Sequence, residues 1–170
     1  MTEPDLAMCL MLVLDPQRSR ILLGDKLRGF GRGKVIAPGG KLEPGEEGVD
    51  AACRELLEET GVRVESADAQ LVATLRFTWA DGSRPFAVDV FAASRWVGEP
   101  VASAELDPFW CSVNDIPYSR MWDDDRIWLP NVLRGQRVSA QIGYDLSGRF
   151  VDRVEMVPLE VPGTVPSALT

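Results

Sequence analysis

The chain has 170 residues, 45% of them apolar and 26% charged, a composition of folded globular proteins; at this size folding buries roughly 70% of the extended chain's surface in a single core. It contains no histidine, which excludes Ser-His-Asp hydrolysis, Cys-His proteolysis, HExxH metallopeptidase chemistry, phosphohistidine relays and His-ligated zinc or haem. The net charge of −8 argues against a nucleic-acid polymer as the main partner, yet leaves room for a small anionic ligand joined through a multivalent cation.

Residues 1–5 read as a frayed N-terminus that carries acids where an export signal carries Lys or Arg, and the apolar run at 10–14 is far shorter than the ~20 residues that span a bilayer. No membrane partner is expected. Residues 6–14 and 20–23 are apolar runs on either side of Asp15-Pro16-Gln17-Arg18-Ser19, hence two strands and a turn. A Gly-rich loop follows at 28–33. Residues 49–60 have helical spacing and stop at Gly61, a residue suited to a left-handed cap. The β-rich runs 71–78 and 86–93 flank Ala80-Asp81-Gly82-Ser83, a hairpin signal. Further on, 112–116 and 124–133 are short helix candidates, and 140–144 with 150–157 flank a second hairpin at Leu146-Ser147-Gly148. Mixed strands with two or three helices make an α+β or α/β fold. Residues 1–160 are expected to form one domain and 161–170 a flexible tail. Cys9, Cys53 and Cys111 are odd in number and form no CxxC pair, which suits reduced thiols in a cytoplasmic protein.

The densest chemical signal is the helix at 49–60. At about 100° per residue, Val49, Ala52, Cys53 and Leu56 form an apolar stripe while Glu55, Glu58 and Glu59 gather on another face. Like charges three and four apart repel by a few tenths of a kcal/mol per pair, so the cluster gains stability only when a cation joins it. Hard oxygen donors in that number suit Mg²⁺ or Mn²⁺. The competing reading is a solvated acidic helix face.

From Gly40 through Glu46 to Arg54-Glu55-Leu56-Leu57-Glu58-Glu59-Thr60-Gly61-Val62, the chain resembles the Nudix box, G-x5-E-x7-R-E-U-x-E-E-x-G-U with U aliphatic, at every specified position. The resemblance implies an α+β fold, a mixed β-sheet sandwiched between α-helices, and hydrolysis of a nucleoside diphosphate linked to another moiety. It makes Glu55, Glu58 and Glu59 catalytic metal ligands, with the Gly39 carbonyl as a further ligand and Glu55 a candidate to activate water. Glu46 and Arg54 take a structural role, pairing to fix the loop against the helix.

Three more stretches resemble the oxidised-purine nucleoside triphosphatase branch, whose members hydrolyse 8-oxo-dGTP and relatives to monophosphate and pyrophosphate. They are Lys26-Leu-Arg-Gly-Phe30-Gly-Arg-Gly33-Lys34, the segment from Pro100 to Trp110 with Glu105, and the segment from Ile116 to Pro130. This likeness implies that Glu105 approaches the metals and that Phe30, Ile36, Gly40, Lys41, Phe77, Trp122, Asp124, Asp125 and Trp128 meet the nucleotide. Two adjacent acids in an apolar cleft tend to share a proton, so that one donates to the base and one accepts. The plainer alternatives are a hairpin connection for the Gly-rich loop, a solvated acid at Glu105, a helix N-cap pair at Asp124-Asp125, core tryptophans, and surface lysines at Lys34 and Lys41. Gly33-Lys34 is not a P-loop, because neither the following Ser or Thr nor the earlier Gly is present.

Val35-Ile36 departs from the branch, which carries Trp-Asn there with the Asn on the purine edge; Pro38 fits the general Nudix pattern better. The expected function is a Mg²⁺-dependent hydrolase of nucleoside triphosphates, monomeric and cytoplasmic, that sanitises oxidised purine nucleotides. The alternatives are a Nudix hydrolase of a dinucleotide, nucleotide sugar or pterin triphosphate, and a non-catalytic Nudix-fold sensor.

Overall fold

In the computed structural model, which describes residues 3–160, the chain is organised around β1 (Leu6–Asp15). Cys9, Met11 and Val13 enter one apolar cluster and Leu12 enters the other, so the strand is buried on both faces. This is why its sequence lacks polar alternation. β1 runs parallel to β6 (Phe86–Ala93), and sheet order continues through antiparallel β5 (Gln70–Trp79), parallel β8 (Val138–Tyr144) and antiparallel β9 (Val151–Pro158). On its other edge β1 pairs with the short β4 (Gly39–Lys41). At its C-terminal end it meets β2 (Arg20–Lys26) only at Leu14 and Asp15, and β2 diverges to pair with β3 (Val35–Ile36) and β7 (Leu106–Ser112).

Helix α1 (Gly48–Thr60) packs Ala51, Ala52 and Leu56 with Cys9, Met11, Val13 and Phe91 on one side of the sheet. Helix α2 (Asp125–Leu133) packs Trp128, Leu129 and Val132 with Leu75, Val90 and Ile142 in the other cluster. The mixed sheet therefore lies between two helices, as expected. Gly61 caps α1 at φ 75° and donates its N–H to the Leu57 carbonyl, the left-handed ending that its lack of a side chain permits.

Several elements differ from the expectation. Residues 112–116 are not helical: Ser112 ends β7, and its hydroxyl accepts the Asn114 amide in a turn that runs into Pro117. β7 itself lay unread, because Pro108 and the charges at 105 and 107 mask a strand whose ladder tolerates Pro opposite Gly24. β3 and β4, two and three residues long, are set by pairing with β2 and β1 rather than by local propensity. Residues 3–5 are not frayed: Arg76 grips Asp5 at 2.6 Å, and Arg84 donates to the Pro4 carbonyl and pairs with Glu3. The tail expected at 161–170 lies outside the described residues. Among the described residues no helix is long and apolar enough to cross a membrane.

Gly39 sits where β4 meets β1, and a Cβ there would stand 2.1 Å from the Cys9 carbonyl oxygen, inside a fixed ladder. Gly39→Ala is expected to cost about 1–3 kcal/mol, read as a lower midpoint in thermal or denaturant unfolding. An unchanged midpoint would show that β4 can move away from β1.

Candidate active site

Arg54 organises the acidic face of α1. Its Nε and Nη2 donate to the two carboxylate oxygens of Glu46 at 2.7 and 3.0 Å, while Glu46 Oε2 also accepts the Glu43 amide at 2.8 Å. This two-pronged pair ties the turn at 43–46 to the helix. The remaining nitrogen, Nη1, reaches Glu55 Oε1 at 3.1 Å and Glu58 Oε2 at 3.3 Å. Glu59, with 2% of its surface exposed, accepts the Gly39 amide at 2.8 Å through Oε1, and its Oε2 lies 3.4 Å from Lys26 Nζ. Lys26 in turn stands 3.8 Å from Glu105, which Arg28 Nε holds at 2.6 Å. A Cβ on Gly40 would stand 2.5 Å from Glu55 Oε1, so the glycine lets that carboxylate lie against the β4 backbone.

Burial raises the carboxyls of Glu55 and Glu59 above their ordinary range; Arg54 and Lys26 oppose the shift, while Glu58 adds to it at Glu55 and Glu55 adds to it at Glu59. The repulsion expected on this face is thus partly offset by two cations. Among the described residues no group of three or more acidic or thiol side chains is already closed into a metal cage. The donor set nonetheless fits a hard divalent ion: oxygen donors only, mutually repelling, two of them desolvated, and with Gly40 letting the Glu55 carboxylate lie against the β4 backbone.

These acids open into a cleft of about 540 Å³. Its second group of residues is aromatic. The Phe30 ring, 60% exposed, stacks on Trp122 at 4.9 Å with 20° between planes and meets Phe86 edge-on at 5.4 Å. Gly29, Gly31 and Gly33 around it all have positive φ, a backbone path that side chains would strain. Lys34 Nζ stands 4.6 Å from the Trp122 ring centre, neither free in solvent nor in the cleft wall.

Asp124 stands at the N-cap of α2, but its side chain makes no capping bond. It is buried and instead accepts Trp128 Nε1–H at 2.8 Å and the Tyr144 hydroxyl. Asp125 is buried beside it, and among the described residues no side chain donates to its carboxyl, which the Trp122 backbone N–H alone faces as a donor. Burial raises both carboxyls, Asp125 the more, because Asp124's charge adds to its burial while Tyr144 and Trp128 stabilise the Asp124 anion.

All the residues expected to meet metal or nucleotide line this one cleft: Phe30, Ile36, Gly39, Gly40, Lys41, Glu55, Glu58, Glu59, Phe77, Glu105, Trp122, Asp124, Asp125 and Trp128. Glu46 and Arg54 lie outside its lining. Trp128 belongs to the core as well, at 1% exposure, so the two readings of it are compatible. Sequence reasoning missed Lys26, Trp79, Phe86 and Tyr144 as members of the wall. For Tyr144 a signal exists, since it continues the inward alternation Val138, Ala140, Ile142 along β8.

The Arg54 fork holds Glu46 at about 2, below the ordinary 4.5. A depressed folded-state value means that the pair's stabilisation is complete above pH 4.5 and is lost as pH falls toward about 2. In metal-free buffer, Arg54→Gln is expected to flatten the fall of the thermal midpoint across this window. Equal slopes in the two proteins would show that the fork is not linked to folding.

Residues 4–132 match the NUDIX domain. Over 128 residues the chain is 41% identical to the oxidized purine nucleoside triphosphate hydrolase of Danio rerio, covering 75% of this chain and 81% of that protein. The Mus musculus protein of the same name is 39% identical over 128 residues, 75% of this chain and 80% of its own. Among solved structures, the MutT NUDIX hydrolase of Burkholderia pseudomallei aligns with a TM-score of 0.66 at 28% identity over 76% of this chain and 99% of its own. The MutT protein of Bacillus halodurans aligns at 0.77 and 24% identity over 89% and 97%, a likeness of fold. Since the matched segment takes in the acidic helix, the Gly-rich loop and the paired acids alike, the chain belongs to the NUDIX family.

Proposed function

We propose that this chain is a nucleoside triphosphate pyrophosphohydrolase that sanitises oxidised purine nucleotides such as 8-oxo-dGTP, with Mg²⁺ as its working ion and Mn²⁺ as a substitute. The observation that carries the reading is one cleft lined by both a three-carboxylate helix face and a buried acid pair. The likeness to relatives named for oxidised purine nucleotides supports the choice of substrate.

Glu55, Glu58, Glu59 and the Gly39 backbone would hold the cation, with Glu105 joined to the group through Lys26. When bound, such a cation neutralises charge on the phosphoanhydride oxygens and makes water a stronger acid. Water adds across the α–β anhydride, forming one P–O bond as another breaks, and leaves nucleoside monophosphate and pyrophosphate. Glu55 takes the water's proton at Oε2, the oxygen that Arg54 leaves free. Gly40 and Lys41 face the phosphates. Phe30 and Trp122 stack on the base, Asp124 and Asp125 meet its edge, and Ile36, Phe77 and Trp128 complete the apolar wall. The working unit extends through residue 160 as a single domain, because β8 beyond the matched segment supplies Tyr144. It acts as a monomer, since one chain provides the whole cleft, and in the cytoplasm, which suits three free cysteines.

Turnover of 8-oxo-dGTP should require Mg²⁺ or Mn²⁺ and release pyrophosphate rather than phosphate. Glu58→Gln or Glu59→Gln should lower kcat by at least ~10²-fold with the fold intact by circular dichroism. Near-parent turnover in either variant rejects the metal assignment.

Ile36 replaces an amide with an aliphatic side chain at the base. Ile36→Asn is expected to shift the ratio of kcat/KM values between oxidised and unoxidised purine triphosphates by about 1–3 kcal/mol, the usual worth of one polar contact in a closed site. Unchanged ratios across guanine, adenine and their oxidised forms would show that residue 36 does not face the base.

A further inference from the structure

Tyr144 ends β8, 2% exposed, beyond the segment that matches the family. Its hydroxyl oxygen accepts the backbone N–H of Asp124 at 3.2 Å, which turns the hydroxyl hydrogen toward Asp124 Oδ1, its only acceptor among the described residues. The other oxygen, Oδ2, takes the Trp128 indole N–H, a group that can only donate. Both oxygens of Asp124 are therefore met by hydrogens. Asp125, next along the chain, is buried and receives no side-chain donor among the described residues; the Trp122 backbone N–H is the donor that opposes the rise of its carboxyl.

We infer that Tyr144 is a specificity-determining positioning residue: its hydroxyl holds Asp124 as the hydrogen-bond acceptor of the pair and leaves Asp125 as the donor that meets the base. The inference rests on the nucleotide-binding reading above. It deepens that reading, because a pocket with one fixed acceptor beside one fixed donor selects bases whose edge sets an N–H next to an acceptor atom. With an aliphatic side chain at 36, the acid pair carries this choice.

The groups that face the pair set its pH behaviour. Asp123 adds negative charge to Asp124, and Asp124 adds it to Asp125; Lys34, from the loop before β3, opposes at Asp125. Tyr118 feels Asp125 from the turn before α2, Arg126 lies near Tyr144, and the Tyr144 phenol itself is buried and stays protonated. Removing the hydroxyl takes away a donor that stabilises only the Asp124 anion. Asp124 then takes up its proton at higher pH, and the pair carries two protons, hence two donors, over more of the acid range.

The test is binding of purine nucleoside monophosphates, oxidised and unoxidised, without metal, followed by tryptophan quenching from pH 5 to 9. Tyr144→Phe is expected to move the acid limb of affinity upward by about one pH unit or more, to raise KM for the triphosphate, and to leave kcat within about threefold. A loss that is uniform with pH would mean that the hydroxyl only fills space, and no change would mean that it is unused; either overturns the inference. Tyr118 and Tyr144 are the only two tyrosines, so 3-fluorotyrosine labelling of a Tyr118→Phe protein makes one stronger donor without removing it. The limb should then move downward, and an unmoved limb counts against the inference even where Tyr144→Phe does not fold. Asp125→Asn separates the two levels. If it leaves affinity and base preference unchanged, the pocket reading itself fails; if it weakens binding while both tyrosine changes leave the limb in place, the role of Tyr144 alone fails.

Discussion

The site depends on how the chain keeps three carboxylates close together on one helix face before any cation arrives. Such a face is self-repelling, and desolvation beside the sheet makes it more so. Arg54 answers this from within the helix: two nitrogens lock onto Glu46, and the third spreads its charge over Glu55 and Glu58. Lys26 does the same for Glu59 from β2. Because the guanidinium is anchored by its fork, it can lie beside the acids without following them, and an incoming cation competes with only one of its nitrogens. The Gly39-Gly40 step belongs to the same constraint, since a side chain at either position would push β4 off β1 or off Glu55.

The other half of the cleft obeys the opposite electrostatic rule. Where α1 surrounds its acids with cations, α2 opens with two acids buried among aromatic rings, and among the described residues Lys34 is the cation that counters Asp125. Carboxylates placed so are costly as anions, and for Asp124 the cost is lowered by two donors, while burial and the neighbouring charge push the Asp125 carboxyl up. Charge and neutrality are thereby divided within one cavity: the α1 side suits polyanionic phosphate with a cation, and the α2 side suits a flat, uncharged heterocycle.

Much of this was legible in the sequence, for identifiable reasons. Helix α1, its cap at Gly61 and its acidic face follow from periodicity and a left-handed terminus, both local properties. The fixed spacing from Gly40 to Val62 reports the loop-helix joint that Glu46 and Arg54 make. Long-range pairing was not legible. Strands β3, β4 and β7 exist because β1 and β2 present open edges, and nothing in Gly39-Gly40-Lys41 or in a run containing Pro108 announces a strand. Lys26 and Tyr144 escaped for the same reason: each reaches the cleft from an element whose register only the folded sheet defines. The disposition of the acids relative to Arg54 was equally hidden, since periodicity places carboxylates on a face without saying which cation from elsewhere will meet them.

The register of β8 on β5 links fold to specificity. β8 runs parallel to β5, pairing Ile142 with Phe77 and Tyr144 with Trp79, and so carries the phenol to the wall that Phe77 and Trp79 already form. A shift of one residue would turn Tyr144 to the opposite face of the sheet and put Gly143 in its place, removing both the ring and the hydroxyl from Asp124. Strand pairing therefore decides which donor meets Asp124. The acidic helix can be shared across a family of hydrolases because any phosphoanhydride needs the same charge there, whereas on the proposed reading the base edge is met from β8 and from residue 36, which belong to other elements than the acidic helix.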